Sequence, residues 1–170
     1  MEDKNLIPKI KYYYMPEDKH VLYVDLDNEF MLEAKKLIKG GACAKQPAGA
    51  VIVKDGKIIG RGTNAGKLMN ECARWGSATG QNYHLCKEVC HQEGHAEDMA
   101  VRDAIKNKFN CEGADIYMYG HWYCCKPCWD IMNEHKIANV YLLYNSWNLF
   151  NPEINTEMKD WGKPKAEIKN

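Results

Sequence analysis

Four side chains stand out for the chemistry their types and spacing allow: His95, Glu97, Cys125 and Cys128. His95 and Glu97 flank Ala96 in Gly94-His95-Ala96-Glu97-Asp98. About thirty residues on, Cys124, Cys125 and Cys128 lie in Tyr123-Cys124-Cys125-Lys126-Pro127-Cys128-Trp129. Catalytic zinc typically takes three protein ligands and leaves one coordination position for water, and His95, Cys125 and Cys128 supply such a set. Cys125 and Cys128 are spaced so that one helical turn puts both thiols on one face. Glu97 is then surplus as a ligand, and a carboxylate beside an activated water can take its proton and pass it on. A lone H-x-E or C-x-x-C says little; the pair, each followed by a helical pattern with a strand between, reads as one metal site.

The elements that must position these residues follow from periodicity. A helix is expected over residues 28–41, with Phe30, Met31, Ala34, Leu37 and Ile38 at helical spacing and Gly40-Gly41 as the stop. A β-hairpin is expected over 48–62, turning at Asp55-Gly56. Residues 95–107 read as a helix with Ala96, Ala100, Val101, Ala104 and Ile105 on its buried face. Strands are expected at 114–120 and 138–145, with a short helix at 126–135 between them. Helix N-termini carry partial positive charge, so His95 and the cysteine pair, each opening a helix, sit where thiolates are stabilised. The order predicts a single α/β domain, a three-layer α/β/α fold on a mixed sheet of about five strands. Its core spans about 28–147, with an N-terminal arm at 1–27, a tail at 148–170 and an irregular insertion at 63–93.

The chain has 170 residues, with Lys+Arg and Asp+Glu both 23. Proteins that grip long nucleic acid usually carry a basic excess, so the balance points to a small substrate. No apolar run approaches a membrane span, and Met1–Ile10 lacks a basic-then-apolar leader; a cytoplasmic location and no membrane partner are expected. Eight cysteines in a reducing compartment read as metal ligands before disulfides. Cys111, standing alone, reads as a small buried apolar residue.

With these residues in place, the sequence resembles the zinc-dependent cytidine/deoxycytidylate deaminase superfamily, whose signature is H-x-E followed by P-C-x-x-C. The match is His95-Ala96-Glu97 and Cys125-Lys126-Pro127-Cys128, within a likeness running from about Ala48 to Asn145. Cys124 stands where the signature has proline. It is a spectator or a competing ligand, and spacing favours Cys125.

The resemblance implies hydrolytic deamination at C4 of a cytosine nucleotide, dCMP to dUMP with ammonia release. Zinc would lie on His95, Cys125 and Cys128, and Glu97 would shuttle protons. It places Asn64 against the sugar or base, although asparagine at a strand end is also a common turn former. Ala96, His121, Trp122 and Tyr123 would line the substrate pocket, where aromatic faces stack on bases; core packing is a near-equal reading for Trp122.

The insertion is similar to the cysteine-bearing insertion of deoxycytidylate deaminases. Cys72, Cys86, Cys90 and His91, with Cys43, are candidate ligands for a second, structural zinc; the other reading makes Cys86 and Cys90 small apolar packing residues. Lys45, Lys67 and Arg74 are candidates for a 5′-phosphate contact, each with a solvated surface role as the plainer reading. His20 and His84 read as surface or hydrogen-bonding residues. The family further implies homo-oligomers and Mg²⁺ bound with a regulatory nucleoside triphosphate. Two other functions stay open. His95-Ala96-Glu97-Asp98-Met99-Ala100 is similar to tRNA adenosine deaminases, and an inactive zinc-stabilised nucleotide-binding module would share the ligand set.

Overall fold

A computed structural model describes residues 12–68, 70–78 and 81–164; the first part of the expected arm and the end of the expected tail lie outside them. The strands are β1 (Leu22–Val24), β2 (Gly49–Lys54), β3 (Lys57–Thr63), β4 (Asp115–Tyr119) and β5 (Asn139–Leu143). The helices are α1 (Glu29–Leu37), α2 (His84–Glu88), α3 (Ala96–Lys106), α4 (Lys126–Glu134) and α5 (Ser146–Phe150). The strands form one sheet in the order β1-β5-β4-β2-β3. β4, β5 and β1 run parallel, while β2 is antiparallel to both its neighbours, so the sheet is mixed.

Alternation along the strands assigns the two faces. Ala50 and Ile52 of β2, Ile116 and Met118 of β4, and Val140 and Leu142 of β5 pack with α3 and α4. Val51, Val53, Tyr117 and Leu143 point the other way and pack with Met31 and Ala34 of α1 and with Phe150 of α5. Three layers result. The β2–β3 turn places Asp55 at φ 52° and Gly56 at φ 75°, the two left-handed residues that a type I′ hairpin requires. Asn28 caps α1 by accepting from the amides of Phe30 and Met31.

Three elements depart from the sequence expectation. The fifth strand is β1, inside what reads as arm; paired only along one edge, a three-residue strand shows no period of its own. Ile105 is 43 % exposed, outside the buried face of α3. The tail also carries structure: α5, then a 3₁₀ turn at Thr156–Asp160. It packs back on the insertion, where Cys72 N–H donates to Gly162 O at 2.7 Å and Trp75 Nε1 donates to Lys159 O at 3.0 Å. Among the described residues, no helix is long and apolar enough to cross a membrane.

Candidate active site

The register fixes where the site lies. Gly49, at the start of β2, pairs with both Thr63 and Tyr119, the last residues of β3 and β4. The carboxyl ends of β3 and β4 therefore share one edge of the sheet, the edge where α/β folds hold ligands. The chain leaves β4 there, turns at Gly120, and enters α4. His95 is the N-cap residue of α3 and Cys125 that of α4, with extended backbone (φ −77°, ψ 170° and φ −74°, ψ 166°). Pro127 sits in the first turn of α4, where its missing N–H costs nothing. α3 can approach β3 closely because Gly60 and Gly62 present no Cβ to its backbone.

The three sequence-predicted ligands meet. His95 Nδ1 is 3.2 Å from Cys125 Sγ and 3.5 Å from Cys128 Sγ, and the two sulfurs are 3.3 Å apart. Zinc bond lengths of about 2.3 Å to sulfur and 2.0–2.1 Å to nitrogen at tetrahedral angles ask for roughly 3.8 Å between sulfurs and 3.6 Å between sulfur and nitrogen. Each observed separation is within about 0.5 Å of that, so the donor set fits zinc with little rearrangement. Their electrostatics suit a metal as well. Cys125 is drawn down to about 4, first by its hydrogen bond with Cys128 and then by His95, against the opposing effect of burial. Hydrogen bonding to Cys125 raises His95 to about 9. The charged pair is the form from which an incoming metal displaces a proton.

Glu97 is 3 % exposed, and Cys128 Sγ donates to its Oε2 at 3.6 Å. Burial raises its pKa, with the positive charge of His95 opposing, which moves a carboxyl towards the range useful for proton transfer near neutrality. Cys124 is 1 % exposed and hydrogen-bonds Glu97 rather than joining the ligand group. Burial holds it protonated, its thiol well above the ordinary value.

His95, Glu97 and Cys125 open into a cavity of about 330 Å³ lined also by Asn64, Ala96, His121, Trp122 and Tyr123. Asn64 is mainly a brace: its Oδ1 accepts from the amides of Cys43 (3.0 Å) and Ala48 (3.1 Å), and its Nδ2 donates to Gln46 O at 2.7 Å. One amide hydrogen remains for a ligand. His121 accepts at Nδ1 from Trp122 N–H (3.0 Å) and stacks on the Trp122 ring. Burial, then the charge of His95, lowers it to about 3, so it is neutral with its proton on Nε2. Trp122 is 1 % exposed, and its Nε1 has no partner. Sequence reasoning missed Gln46, Gln92, Tyr83 and Pro152 in the wall. They come from segments without period, and only the fold brings them here.

The insertion residues are not gathered as a second metal centre. Among the described residues, the one group of three or more His, Cys, Asp or Glu with ligand atoms mutually close is His95, Cys125 and Cys128. Neither a second zinc nor Mg²⁺ has such a group. Cys43 and Cys72 hydrogen-bond each other. Cys90 donates to Leu68 O at 3.5 Å and packs on Gly66. Cys86 lines the cavity, whereas His91 lines a separate groove with Arg61 and Lys106. The insertion is tied to the tail through Cys72 and Trp75 and carries the short α2. Lys67 is exposed and lines neither. Cys111 is buried in the core, while His20 and His84 are exposed.

A three-layer fold with H-x-E opening one helix and C-x-x-C opening the next defines the zinc-dependent base deaminases. Residues 24–144 match the family model described as the cytidine and deoxycytidylate deaminase zinc-binding region. The chain belongs to that family.

Similar solved structures include the diaminohydroxyphosphoribosylaminopyrimidine deaminase/5-amino-6-(5-phosphoribosylamino)uracil reductase of Thermotoga maritima, with 28 % identity and a TM-score of 0.44 over 66 % of this chain. The chain spans 28 % of that protein's length. The dCMP deaminase of cyanophage S-TIM5 in complex with dCMP and dUMP is 16 % identical, covering 79 % of this chain and 92 % of that one, with a TM-score of 0.47. Guanine deaminase from Bacillus subtilis is 21 % identical, covering 85 % and 81 %, with a TM-score of 0.44. A comparison with curated proteins found no match.

Proposed function

We propose that the protein deaminates a cytosine nucleotide hydrolytically, converting dCMP and water to dUMP and ammonia. The observation that carries this is the buried carboxyl of Glu97 beside three converging ligands at the foot of a small aromatic-walled cavity. His95, Cys125 and Cys128 would hold a zinc ion, which when bound would supply Lewis-acid activation of water near neutral pH. Glu97 would accept the water's proton and deliver it to N3 as the water oxygen bonds to C4; it would then take the proton of that new hydroxyl and pass it to the amine, so that the C4–N bond breaks as the carbonyl forms and ammonia leaves. His121 and Tyr123 line the cavity for the base, with Trp122 buried behind His121 as its stacked support, and the remaining amide hydrogen of Asn64 serves to orient the substrate. The cavity is at the small end of ligand pockets, which suits one nucleotide.

A nucleic-acid substrate finds less support. Asp98 and Met99, which give the stretch its likeness to tRNA adenosine deaminases, do not line the cavity. Asp98 instead makes a two-point pair with Arg102 at 2.9 Å on the outer side of α3, and Met99 lines the other groove.

The test is ammonia release from dCMP, dCTP, deoxycytidine and a tRNA anticodon hairpin, with Glu97→Ala as control. Turnover of dCMP that disappears in Glu97→Ala is expected. Turnover of the hairpin alone would overturn the substrate. Silence on all four with zinc bound would leave the inactive binding module.

A further inference from the structure

Arg74 is a buried cation that the reaction at Glu97 does not use. It is 7 % exposed, lines the active-site cavity, and lies in the insertion. Its Nε donates to Gln81 O at 3.2 Å, and the guanidinium stacks on the Tyr83 ring at 4.2 Å. Lys45 lines the same cavity from the loop before β2. Its Nζ donates to Ser77 O at 2.8 Å and to Arg74 O at 3.4 Å. Every one of these partners is neutral, and among the described residues neither cation has a carboxylate within ion-pair reach.

Burying a charge without a counter-ion is expensive, so such groups are normally paired. Here two cations share one wall. The nearby acidic group is the Cys72 thiol, which is drawn down to about 6, first by its hydrogen bond with Cys43 and then also by the fields of Lys45 and Arg74. A single thiolate balances at most one of the two charges, and the wall stays positive. Arg74 is also preorganised: ring stacking and the Nε bond fix the plane of its fork, leaving the terminal nitrogens for a planar pair of oxygens.

We infer that Arg74 and Lys45 form the anion subsite of this cavity and select a substrate bearing a terminal phosphate monoester. The inference rests on the deamination reading for the rest of the substrate. A monoester carries nearly two negative charges at neutral pH, because its second pKa is near 6. It therefore matches two cations, whereas an internal phosphodiester carries one charge and a nucleoside none. The insertion is then the specificity element of the site.

The test compares Arg74→Gln, Arg74→Lys and Lys45→Gln with wild type in the full-length zinc-loaded chain. Steady-state rates on dCMP and deoxycytidine are paired with calorimetric binding of the products dUMP and deoxyuridine. Losing one member of a buried charge pair costs about 30-fold or more. The ratio of kcat/KM for dCMP over deoxycytidine is expected to fall by that factor in Arg74→Gln, mainly through KM, with partial recovery in Arg74→Lys. Lys45→Gln carries the test should Arg74→Gln lose its zinc or its circular-dichroism spectrum. An unchanged ratio in a folded Arg74→Gln or Lys45→Gln would overturn the inference while leaving the deamination reading intact. Binding of dUMP that depends on Arg74, without turnover of any cytosine compound, would do the reverse.

Discussion

Replacing Gly62 by alanine tests whether close packing of α3 on β3 is what aims the site. A Cβ at Gly62 would lie 2.3 Å from Ala100 N, 2.5 Å from Ala96 O and 2.7 Å from Met99 C. All three are backbone atoms, so no flexible side chain can swing aside. Ordinary contact begins at 3.4 Å, and the first turns of α3 must withdraw by roughly 1 Å. Overpacking of this kind costs about 1–3 kcal/mol, which for a domain of this size is a fall of roughly 2–12 °C in melting temperature.

The displaced turn carries Glu97 and is capped by His95, whose Nδ1 now sits 3.2 and 3.5 Å from the two sulfurs. A 1 Å error in placing a reacting group costs on the order of 100-fold in rate. The assay is a thermal melt, zinc retention against a competing chelator, and ammonia release. Gly40→Ala is the control, because nothing lies within 4 Å of a Cβ there and its effect should stay within about 0.5 kcal/mol. If Gly62→Ala melts with Gly40→Ala and keeps its zinc and its rate, the packing of α3 does not set the site.

Cys125→Ser should lose zinc by more than the ~10–100-fold that disturbing an outer partner of a metal ligand costs, read by chelator competition. Wild type, Cys86→Ser and Cys90→Ser should each retain a single zinc per chain by elemental analysis; two in wild type and one in either variant would restore a metal to the insertion. His121 has its folded pKa lowered to about 3 by burial and by His95, below the ordinary 6.5. The unfolded chain therefore takes up the proton first as pH falls. Stability from His121 is full above 6.5 and is lost between 6.5 and 3, on the order of a few kcal/mol. The gap between urea midpoints of wild type and His121→Phe should narrow or change sign on going from pH 7 to pH 4.5; a constant gap would remove His121 from the acid response. Glu97→Gln should keep the fold and lose about 100- to 10,000-fold in turnover, and a rate within a factor of ten of wild type would remove Glu97 as the proton carrier.

The meeting of His95, Cys125 and Cys128 was legible in the sequence because two of them are tied to local events. His95 and Cys125 are N-cap residues, and a helix start leaves a trace within a few positions of itself: an acidic first turn after His95, a proline after Cys125. The hairpin at Asp55-Gly56 and the alternation of Ala50, Val51, Ile52 and Val53 are equally local. β1 was not legible, since three residues acquire strand geometry only by pairing with Tyr141, Leu142 and Leu143. The placement of the insertion cysteines was not legible for a related reason. Ligand types and counts can be read from a sequence, but whether Cys72, Cys86, Cys90 and His91 converge depends on how a loop without period folds.

Arg74 shows what that difference means for specificity. Nothing near it in sequence separates it from Lys67, and both read as candidates for a phosphate contact with a solvated role as the plainer reading. Lys67 is exposed, whereas Arg74 is closed in by Tyr83, Gln81 and the loop carrying Lys45. The chemical centre is thus carried by helix ends on a sheet edge, which tolerate little change and leave a signature. Much of the remaining cavity wall is carried by the insertion, through Cys72, Arg74, Tyr83, Cys86 and Gln92, with Pro152 of the tail beside it, and such segments are free to vary in length and order. A fold arranged this way can keep one deamination chemistry while exchanging the substrate on which it acts. Grafting changes into residues 70–92 should therefore move substrate preference far more than the rate constant on the preferred substrate. Random substitution of that stretch, scored for kcat and KM separately on cytosine base, nucleoside and nucleotide, would refute this if kcat fell as steeply as preference shifted.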